Sequence, residues 1–425
     1  MNSLPTIKLY KAVILVADKI CGRKDSNIPY ISLEHLDSNC SNLKRHGLAI
    51  DSISTNNVFK EDDILLGKLR PQLRKCIQSK IQGYCSTDIL VFRPTNGASA
   101  QYLGHIFCSD IVFSEAIKRE EGTGMPRTSW AAIKDLDIFY PSYSEQYKIA
   151  EILTTVDNLI EQTEAAIAKY QAIKQGMMHD LFTRGVDANG HLRPPREEAP
   201  ELYKESELGW IPKEWAVKPV HGIGSVRLGR QRSPKHTSGK YTTPYLRVAN
   251  VFDGWIDYSD ILKMDFTPEE KSTYNVLPKD IFLNEGQSLE LVGRSAIYNG
   301  KPDRYCFQNT LIRFRSFPEN DHKFCWLVFK NWLDTELFMT IARQTTSVAH
   351  LGADRFSKLP FARPSHDEQV RISLRLDTVE SKTQKIKQTR DKLQVLKSGL
   401  MQDLLSGRVR VPTDATTLQE PPHAS

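Results

Sequence analysis

The stretch Glu145-Gln146-Tyr147-Lys148-Ile149 opens a run that continues to Leu181, and the same run occurs again from Glu368 to Leu404. The two copies align without a gap at a constant offset of 223 residues. Their endings agree as well, with Lys174, Gly176 and Asp180-Leu181 matching Lys397, Gly399 and Asp403-Leu404. So long a period indicates a duplicated domain, because the repeats of a solenoid are only about 20–50 residues long.

Apolar residues in each copy follow the spacing of a coiled-coil seam, with alternating steps of four and three. The seam positions of the first copy are Ile149, Leu153, Val156, Ile160, Thr163, Ile167, Tyr170, Lys174, Met177 and Leu181. Those of the second copy are Ile372, Leu376, Val379, Thr383, Ile386, Arg390, Leu393, Lys397, Leu400 and Leu404. This period keeps one stripe facing a partner helix. Each helix could simply cover its own domain, but two equal seams favour the helices packing on each other as an intramolecular spacer.

Composition sets broad limits on the protein class. A chain of 425 residues is long enough for two or three domains, and its net charge of +6 permits an anionic partner. The first 20 residues do not follow the pattern of a signal peptide, and the sequence has no apolar run of transmembrane length. Seven cysteines without a CxxC pair argue against a zinc site and a disulfide framework. We therefore expect a cytoplasmic protein with free thiols.

Outside the helices, the two halves of the chain share a skeleton of short strands. The strand patterns at Pro29, Ile64, Ile89 and before Pro141 are repeated at Pro244, Ile281, Leu311 and before Pro364. The predicted organisation is domain 1 over residues 1–142, a helix over 143–183, a linker over 184–212, domain 2 over 213–365, a second helix over 366–408 and a disordered tail over 409–425.

Catalytic motifs give no support for an enzyme. The sequence lacks an Asn-Pro-Pro-Tyr box of the methyltransferase type and a Gly-x4-Gly-Lys-Ser/Thr phosphate loop. Gly122-Thr123-Gly124 has no strand before it and no helix after it, so it is a weak candidate for a cofactor loop. Glu269-Glu270-Lys271 and Pro302-Asp303 come in the reverse of the usual nuclease order and are better interpreted as surface turns.

Basic and polar loops at similar places in both domains are the remaining candidates. Arg, Lys, Gln, Ser and Thr are the residue types that hold phosphates and recognise base edges. A single basic loop is usually only a solvated surface, but its repetition in a duplicated skeleton favours a shared role. The candidate DNA-binding residues are Lys68, Arg70, Arg74, Lys75, Arg119, Thr123, Arg127, Arg230, Arg232, Lys235, His236, Lys240, Arg294, Arg343, Thr345, Thr346, Ser347 and His350.

The arrangement of two divergent domains, each followed by a similar long helix, resembles the specificity subunits (HsdS) of type I restriction–modification systems. The phrase Tyr203–Trp215 and the doubled helix starts and endings carry this resemblance. One departure is that the N-terminus lacks a counterpart of Gly209–Trp215.

The resemblance implies an α+β fold with two α/β target-recognition domains in tandem, each followed by a long helix, and the two helices packed as an antiparallel coiled coil. It implies that each domain binds one half of an asymmetric, bipartite sequence in double-stranded DNA. Two methyltransferase subunits and further restriction motor subunits would be the partners, and S-adenosylmethionine, ATP and Mg would belong to those partners, with no cofactor or metal in this chain and no membrane contact. The candidate partner contacts are Gln146, Ile149, Lys174, Asp180, Gln369, Ile372, Lys397 and Asp403.

Three alternatives remain open at this point. The chain could be the DNA-recognition subunit of a fused restriction–methylation enzyme or of another phage-defence complex. A coiled-coil scaffold without a DNA role would bind its partners without a steep salt dependence, unlike a protein that contacts several phosphates. A self-contained enzyme is opposed by the missing motifs.

Overall fold

The chain folds as two units, of which the first combines two segments that are far apart in sequence and the second is one continuous segment. In the computed structural model, unit 1 contains Met1–Ile167 and Ile386–Ser425, and unit 2 contains Ala168–Lys385. The structure describes residues 4–21, 27–38, 43–52, 54–95, 97–231, 239–344 and 348–412. Within these ranges, no helix has both the length and the apolar character that crossing a membrane requires.

Unit 1 combines short strands with helices. Its strands are β1 (Thr6–Lys8), β2 (Val13–Leu15), β3 (Lys19–Ile20), β4 (Pro29–Ile31), β5 (Gly47–Leu48), β6 (Asn56–Phe59), β7 (Ile64–Gly67), β8 (Cys76–Gln78), β9 (Gly83–Ser86), β10 (Ile89–Pro94) and β11 (Asp137–Phe139). Its helices are α1 (Leu9–Ala12), α2 (Ala100–Phe107), α3 (Asp110–Lys118), α4 (Trp130–Ile133) and the first part of α5 (Tyr143–Thr183). The strands form the sheets β1-β11, β2-β10-β7-β8 and β3-β6-β9-β4-β5.

Unit 2 repeats this plan with additional strands. Its strands are β12 (Tyr203–Ser206), β13 (Gly209–Pro212), β14 (Ala216–Pro219), β15 (Gly224–Leu228), β16 (Thr242–Leu246), β17 (Leu262–Asp265), β18 (Ile281–Asn284), β19 (Gly286–Gln287), β20 (Ser295–Ile297), β21 (Cys306–Phe307), β22 (Leu311–Ser316), β23 (Arg343–Gln344), β24 (Ala349–His350) and β25 (Pro360–Arg363). Its helices are α6 (Pro268–Tyr274), α7 (His322–Asp334), α8 (Leu337–Ile341), α9 (Ala353–Ser357) and α10 (His366–Leu404), which ends in unit 1.

Two sheets of unit 1 correspond strand by strand to sheets of unit 2. The order β2-β10-β7-β8 of unit 1 reappears as β15-β22-β18-β20, and the pair β1-β11 reappears as β14-β25. Each unit also contains a parallel strand pair, β4 with β9 in unit 1 and β16 with β21 in unit 2. The predicted tandem duplication of an α/β domain is therefore confirmed.

An ion pair between a buried aspartate and a partly exposed arginine is duplicated with the sheets. Asp63 precedes β7 and accepts two hydrogen bonds from Arg93 on β10, at 2.8 and 2.7 Å. Asp280 precedes β18 and accepts the same two bonds from Arg315 on β22, at 2.6 and 2.8 Å. Because charged groups are seldom fully buried without a partner, each aspartate depends on its arginine.

Side-chain capping and strand pairing define two local features of the chain. The Ser109 hydroxyl accepts from the Ile111 N–H and starts α3 directly after α2 has ended. The predicted linker over 184–212 is more regular than its Pro and Gly content suggested, since β12 and β13 form an antiparallel hairpin within it.

The long helices α5 and α10 pack on each other, as the heptad pattern predicted, and their antiparallel arrangement agrees with what the resemblance implied. In unit 1, Lys397 Nζ lies 2.5 Å from Asp157 Oδ1, and in unit 2, Lys174 Nζ lies 2.5 Å from Glu380 Oε2. All predicted seam positions are buried or half-buried. Some seam residues are also part of the hydrophobic core of a single unit. Ile149 and Leu153 belong to the core of unit 1, and Ile372 and Leu376 belong to the core of unit 2. Burial of each such side chain stabilises the fold by about 1.5–3 kcal/mol.

The Glu-Gln pair at the start of each long helix has an intramolecular role. Gln146 accepts from the Ser99 N–H at 2.9 Å, and Gln369 accepts from the Asp321 N–H at 2.9 Å. Ser99 and Asp321 are the N-cap residues of α2 and α7, so the glutamines tie each long helix to its domain.

The neighbouring glutamates also hold equivalent chain segments. Glu368 binds Arg193 and the Val186 N–H, and Glu145 binds Arg410 and the Val411 N–H. Arg410 and Val411 fall within the tail predicted from residue 409, and they are held against α5; residues 413–425 lie outside the described residues.

Candidate nucleic-acid interface

In unit 1, a short hairpin attaches to the chain that leaves β7. Arg127 and Glu121 exchange two backbone hydrogen bonds of 2.9 Å, which closes the Gly122–Gly124 loop. Arg127 also forms a β-bridge with Leu69, and the Arg70 N–H donates to the Pro126 carbonyl at 2.7 Å. The sequence-predicted loop is thus held beside the predicted basic segment that follows β7.

Several predicted basic residues converge at this place. Arg70 and Arg127 are exposed, whereas Lys68 and Lys75 are half-buried. Lys68 donates to the Thr87 carbonyl and Lys75 donates to the Leu33 carbonyl. Burial lowers the pKa of Lys68. Thr123 is exposed in the loop of the same hairpin. We call this set the unit 1 surface: Lys68, Arg70, Lys75, Thr123 and Arg127.

An adjoining cavity gives the unit 1 surface an apolar component. Its volume is about 240 Å³, and Arg70 and Lys75 line it together with Leu33, Leu69, Leu73 and Met125. Cationic groups around an apolar recess are compatible with both phosphate contacts and contacts to base edges or thymine methyl groups.

The other two predicted residues of unit 1 have different partners. Arg74 forms an ion pair with Asp110 at 2.5 Å, and its guanidinium lies over the Phe113 ring. Arg119 forms an ion pair with Glu115 of α3, four residues before it in the chain. These contacts connect both arginines to α3 instead of to the hairpin.

Unit 2 has a hairpin at the equivalent position, after β18. Strands β23 and β24 form it, and β24 pairs with β19, so that His350 lies opposite both Gly286 and Arg343. In unit 1, Arg127 lies in the same way opposite Leu69 and Glu121. The predicted equivalence of the two loops therefore holds at the level of backbone pairing.

The side chains at these equivalent positions differ. Arg127 corresponds to His350, Glu121 to Arg343, and Arg70 to Gln287. Lys75 corresponds to Arg294, because the backbone carbonyl of each accepts a hydrogen bond from the last residue of β7 or β18. The Gly67 N–H donates to the Lys75 carbonyl, and the Asn284 N–H donates to the Arg294 carbonyl. We call Gln287, Arg294, Arg343 and His350 the unit 2 surface.

Electrostatics distinguish the unit 2 surface from that of unit 1. His350 Nδ1 lies 3.0 Å from the Glu285 carboxylate, at the position where unit 1 has Lys68. Arg343 is exposed, while burial lowers the pKa of Arg294. The two hairpins have the same backbone pairing but present different side chains. Such a pair of surfaces is suited to binding two different sequences of one type of ligand.

One predicted DNA contact of unit 2, Arg230, is largely buried and paired within its own domain. Arg230 is 7% exposed, forms an ion pair with Glu270 at 2.6 Å and donates to the Asp265 carbonyl. Its guanidinium also lies over the Phe266 ring, so it connects parts of the domain interior. Lys240 is exposed beside Tyr241. The other predicted residues, which lie outside the described part of the chain, are Arg232, Lys235, His236, Thr345, Thr346 and Ser347.

The sequence interpretation missed two features at the unit 2 surface. Gln287 lacks the charge that attracted attention to its counterpart Arg70. Phe252 and Trp255 stack on each other in a turn next to Arg294. The unusual combination Phe252-Asp253-Gly254-Trp255, a turn sequence with two large aromatic residues, was the available signal.

Four of the candidate partner contacts on the helices need correction. Gln146, Ile149, Gln369 and Ile372 are all 0% exposed, so their side chains are not available to another subunit. Lys174 and Lys397 are held in the ion pairs between the two helices. Asp180 and Asp403 have half-exposed side chains that pair with Arg184 and Arg408, and they stay candidate partner contacts. Similar sequence at the four buried positions reflects the duplicated packing of the helices.

Comparisons with known proteins agree with this architecture. The family model described as "Type I restriction modification DNA specificity domain" matches residues 14–170 and 212–395. The type I restriction enzyme MjaVIII specificity subunit of Methanocaldococcus jannaschii is 24% identical over 426 residues, covering 95% of this chain and 90% of that protein.

Two solved structures have a similar fold. The S subunit of the type I restriction–modification system from M. genitalium superimposes with a TM-score of 0.55 at 14% identity, covering 95% of this chain and 97% of that one. A chain from a structure described as "Structural basis underlying complex assembly and conformational transition of the type I R-M system" gives a TM-score of 0.55 at 15% identity, covering 96% and 100%. Because the family model matches both globular domains and most of both long helices, the chain belongs to the type I restriction–modification DNA specificity family.

Proposed function

We propose that this chain is the non-catalytic subunit that selects the DNA sequence for a type I restriction–modification complex. Each globular domain binds one half of an asymmetric, bipartite site in double-stranded DNA. The observation that carries this proposal is the pair of equivalent hairpins, which present different side chains from the same backbone frame. Protein contacts to base edges specify sequence, so different side chains select different half-sites.

The duplicated helices support the recruitment of two copies of one partner, the methyltransferase subunit. Ile173 on α5 and Leu396 on α10 occupy equivalent positions, and they are 39% and 50% exposed. Gly176 and Gly399 follow them, and a Cβ atom at either glycine would meet nothing within 4 Å. Since glycine destabilises an exposed helix by about 1 kcal/mol relative to alanine, its double occurrence in open space favours a close approach by another subunit.

Cofactor chemistry is assigned to the partners in this proposal. The methyltransferase subunits use S-adenosylmethionine to methylate adenine at N6, and motor subunits use ATP and Mg for translocation and cleavage. The alternative function is DNA recognition for a fused restriction–methylation enzyme or for another phage-defence complex. In that case the same two domains would bind DNA, but the partner proteins would differ.

A genome-wide map of N6-methyladenine tests the proposal. Cells that carry this chain with the neighbouring methyltransferase gene are compared with the same cells lacking only this chain. We expect an asymmetric, two-part motif that is methylated in the first cells and unmethylated in the second. An unchanged map, with the methyltransferase shown to be expressed and active, would contradict the proposed function.

A further inference from the structure

The turn Phe252–Trp255 lies directly beside the unit 2 surface. Asn284, at the end of β18, donates from its side chain to the Val251 carbonyl at 3.3 Å. Its backbone N–H donates to the Arg294 carbonyl, and its carbonyl accepts from the Gly293 N–H, both at 2.9 Å. The turn, Arg294 and the β23–β24 hairpin are therefore all anchored around the end of the same strand.

Backbone hydrogen bonds hold this turn in one conformation. Phe252 N–H donates to the Trp255 carbonyl at 3.0 Å, and Gly254 N–H donates to the Ser295 carbonyl at 3.0 Å. Val251 and Ile256 close the turn with an antiparallel bridge. Gly254 has φ +83°, a left-handed conformation that other residues adopt only with strain. The aromatic side chains are thus presented by a pre-organised backbone.

The aromatic rings and Arg294 form one stacked group. The rings of Phe252 and Trp255 are 4.5 Å apart between centroids and are inclined by 12°. The Arg294 guanidinium carbon lies 4.8 Å from the Phe252 centroid. Within the described residues, Arg294 Nε is buried and has no hydrogen-bond partner. Despite this support, Trp255 remains 54% exposed.

We propose that this group, which we call the aromatic turn, contacts the DNA half-site bound by unit 2. The Trp255 indole packs against an apolar surface of the bases, either a thymine methyl group or the face of a base at an opened step, and Arg294 binds the adjacent backbone or base edge. DNA fits this surface because it combines the cations Arg294 and Arg343 with a large apolar side chain, and proteins use apolar side chains in this way against base steps. The inference rests on the proposed function.

Unit 1 has a different chemistry at the equivalent place, which restricts the proposed contact to one half-site. The turn at Ser32–His35 has the same backbone hydrogen bond as the turn at Arg247–Asn250. Continuing this alignment along the sequence matches Asp37 with Phe252 and Cys40 with Trp255. Cys40 lies outside the described residues; Asp37 lies 3.6 Å from Lys44. In unit 1, the carboxylate of Asp37 therefore stands where unit 2 has the Phe252 ring that stacks on Trp255.

Binding measurements on the full chain, purified with its methyltransferase subunits, test the contact. The probe is a duplex that carries the site identified by methylation mapping. We expect Trp255→Ala to weaken binding about tenfold, in the range of aromatic–base stacking. The slope of log affinity against log salt should stay unchanged, since tryptophan carries no charge, whereas Arg294→Gln should reduce that slope by about one.

Matched variants and probes make the result specific. Trp210→Ala is the control, because Trp210 is also an exposed tryptophan, 46% exposed and 4.7 Å from the Arg196 guanidinium, but lies on β13. Trp255→Phe should keep most of the affinity. Replacing thymine by uracil in the half-site of unit 2 should remove the effect of Trp255→Ala if the indole packs on a methyl group, and should leave it if the indole packs on an opened step.

Three outcomes would overturn the inference or the function separately. If the native complex binds its site and Trp255→Ala binds equally well, the aromatic turn does not contact DNA. If Trp255→Ala instead lowers the yield of co-purified methyltransferase subunit while the remaining complex binds DNA normally, the turn contacts protein. If the native complex shows no sequence-specific, salt-dependent binding, the proposed function itself fails. Thermal unfolding checks that the Trp255→Ala variant is folded. If this variant is not folded, the single variants Trp255→Phe and Arg294→Gln test the contact.

Discussion

At the scale of single residues, the most informative feature is the repeated pair of buried aspartates. The side chains of Asp63 and Asp280 are 1% and 0% exposed, and each also accepts a backbone N–H, from Lys60 and Leu277 respectively. Arg93 and Arg315 provide the compensating charges. Each pair connects the strand that leads to a candidate DNA surface with its central neighbour in the sheet.

Asp280→Ala should therefore destabilise unit 2 strongly. The substitution leaves Arg315 and the Leu277 N–H without their buried acceptor, which should cost about 3 kcal/mol, at the low end for a broken buried pair because Arg315 is partly exposed. Chemical denaturation measures the free energy of unfolding. Asp354→Ala is the matched control, since its ion pair with Lys358 is largely exposed and should change stability by less than about 1 kcal/mol. Similar losses for the two variants would contradict this account.

His105 should make unit 1 sensitive to mild acid. Burial lowers the pKa of His105 from its ordinary value of 6.5 to about 4, even though Asp157 lies 4.0 Å away. Lys397 and Lys80 also oppose its protonation. The unfolded chain therefore binds a proton at higher pH than the folded chain does, and stability should fall by about 1 kcal/mol per pH unit as the pH decreases from 6.5 to about 4.

Unfolding free energies measured across this pH range check the prediction. The difference between the native chain and His105→Gln should show the slope, whereas His179→Gln, at an exposed position of α5, should follow the native profile. Parallel profiles for the native chain and His105→Gln would show that His105 is not the responsible group.

At the scale of elements, the two hairpins keep the same pairing and present different side chains. The hairpin of unit 1 presents Arg127, and that of unit 2 presents Arg343 and His350. Each hairpin is joined to the end of a strand in its own unit. A change in one hairpin should consequently act on one half-site.

Arg127→Gln and Arg343→Gln should each weaken DNA binding or relax specificity in a different half of the motif. A lost contact to a base edge should cost about 1–3 kcal/mol of discrimination, whereas a lost phosphate contact should weaken binding uniformly and reduce the salt slope by about one. Methylation mapping of cells carrying each variant identifies which half is relaxed. Loss of specificity in both halves from either single variant would contradict separate recognition by the two domains.

At the scale of the whole molecule, both long helices contribute to both units. Helix α5 has 41 residues and α10 has 39, so each is about 60 Å long. Each helix begins in one unit and ends in the other. We propose that these helices set the number of base pairs between the two half-sites.

Insertion of one heptad into both helices, after Ile167 and after Lys385, should change the spacing of the motif and leave its half-sites unchanged. Seven residues preserve the phase of the seam and add about 10 Å, which corresponds to about three base pairs. Methylation mapping gives the new motif. An insertion of four residues in α5 alone is the control. It moves the seam of α5 out of register with that of α10, so methylation of the motif should be lost. Altered bases within a half-site after the heptad insertion would disprove this role of the helices.

The sequence by itself determined the duplication, the seam of the long helices and the order of the principal strands. Periodicity and chain order are local properties, so they survive in a single sequence, as the match of the Ile89 and Leu311 patterns with β10 and β22 shows. It also predicted loops at equivalent places of the repeated skeleton, and the structure shows that these loops belong to the two hairpins.

Only the tertiary structure decided which candidate side chains are available to DNA. Arg230 resembled the other basic residues until the fold placed Glu270 and Asp265, 40 and 35 residues away, around it. Gln146 and Gln369 resembled a repeated docking motif, but the fold directs them to the caps of α2 and α7. The Phe252–Trp255 stack became significant only beside Arg294. Exposure and pairing depend on residues that are distant in sequence, so the final surface is a property of the folded chain.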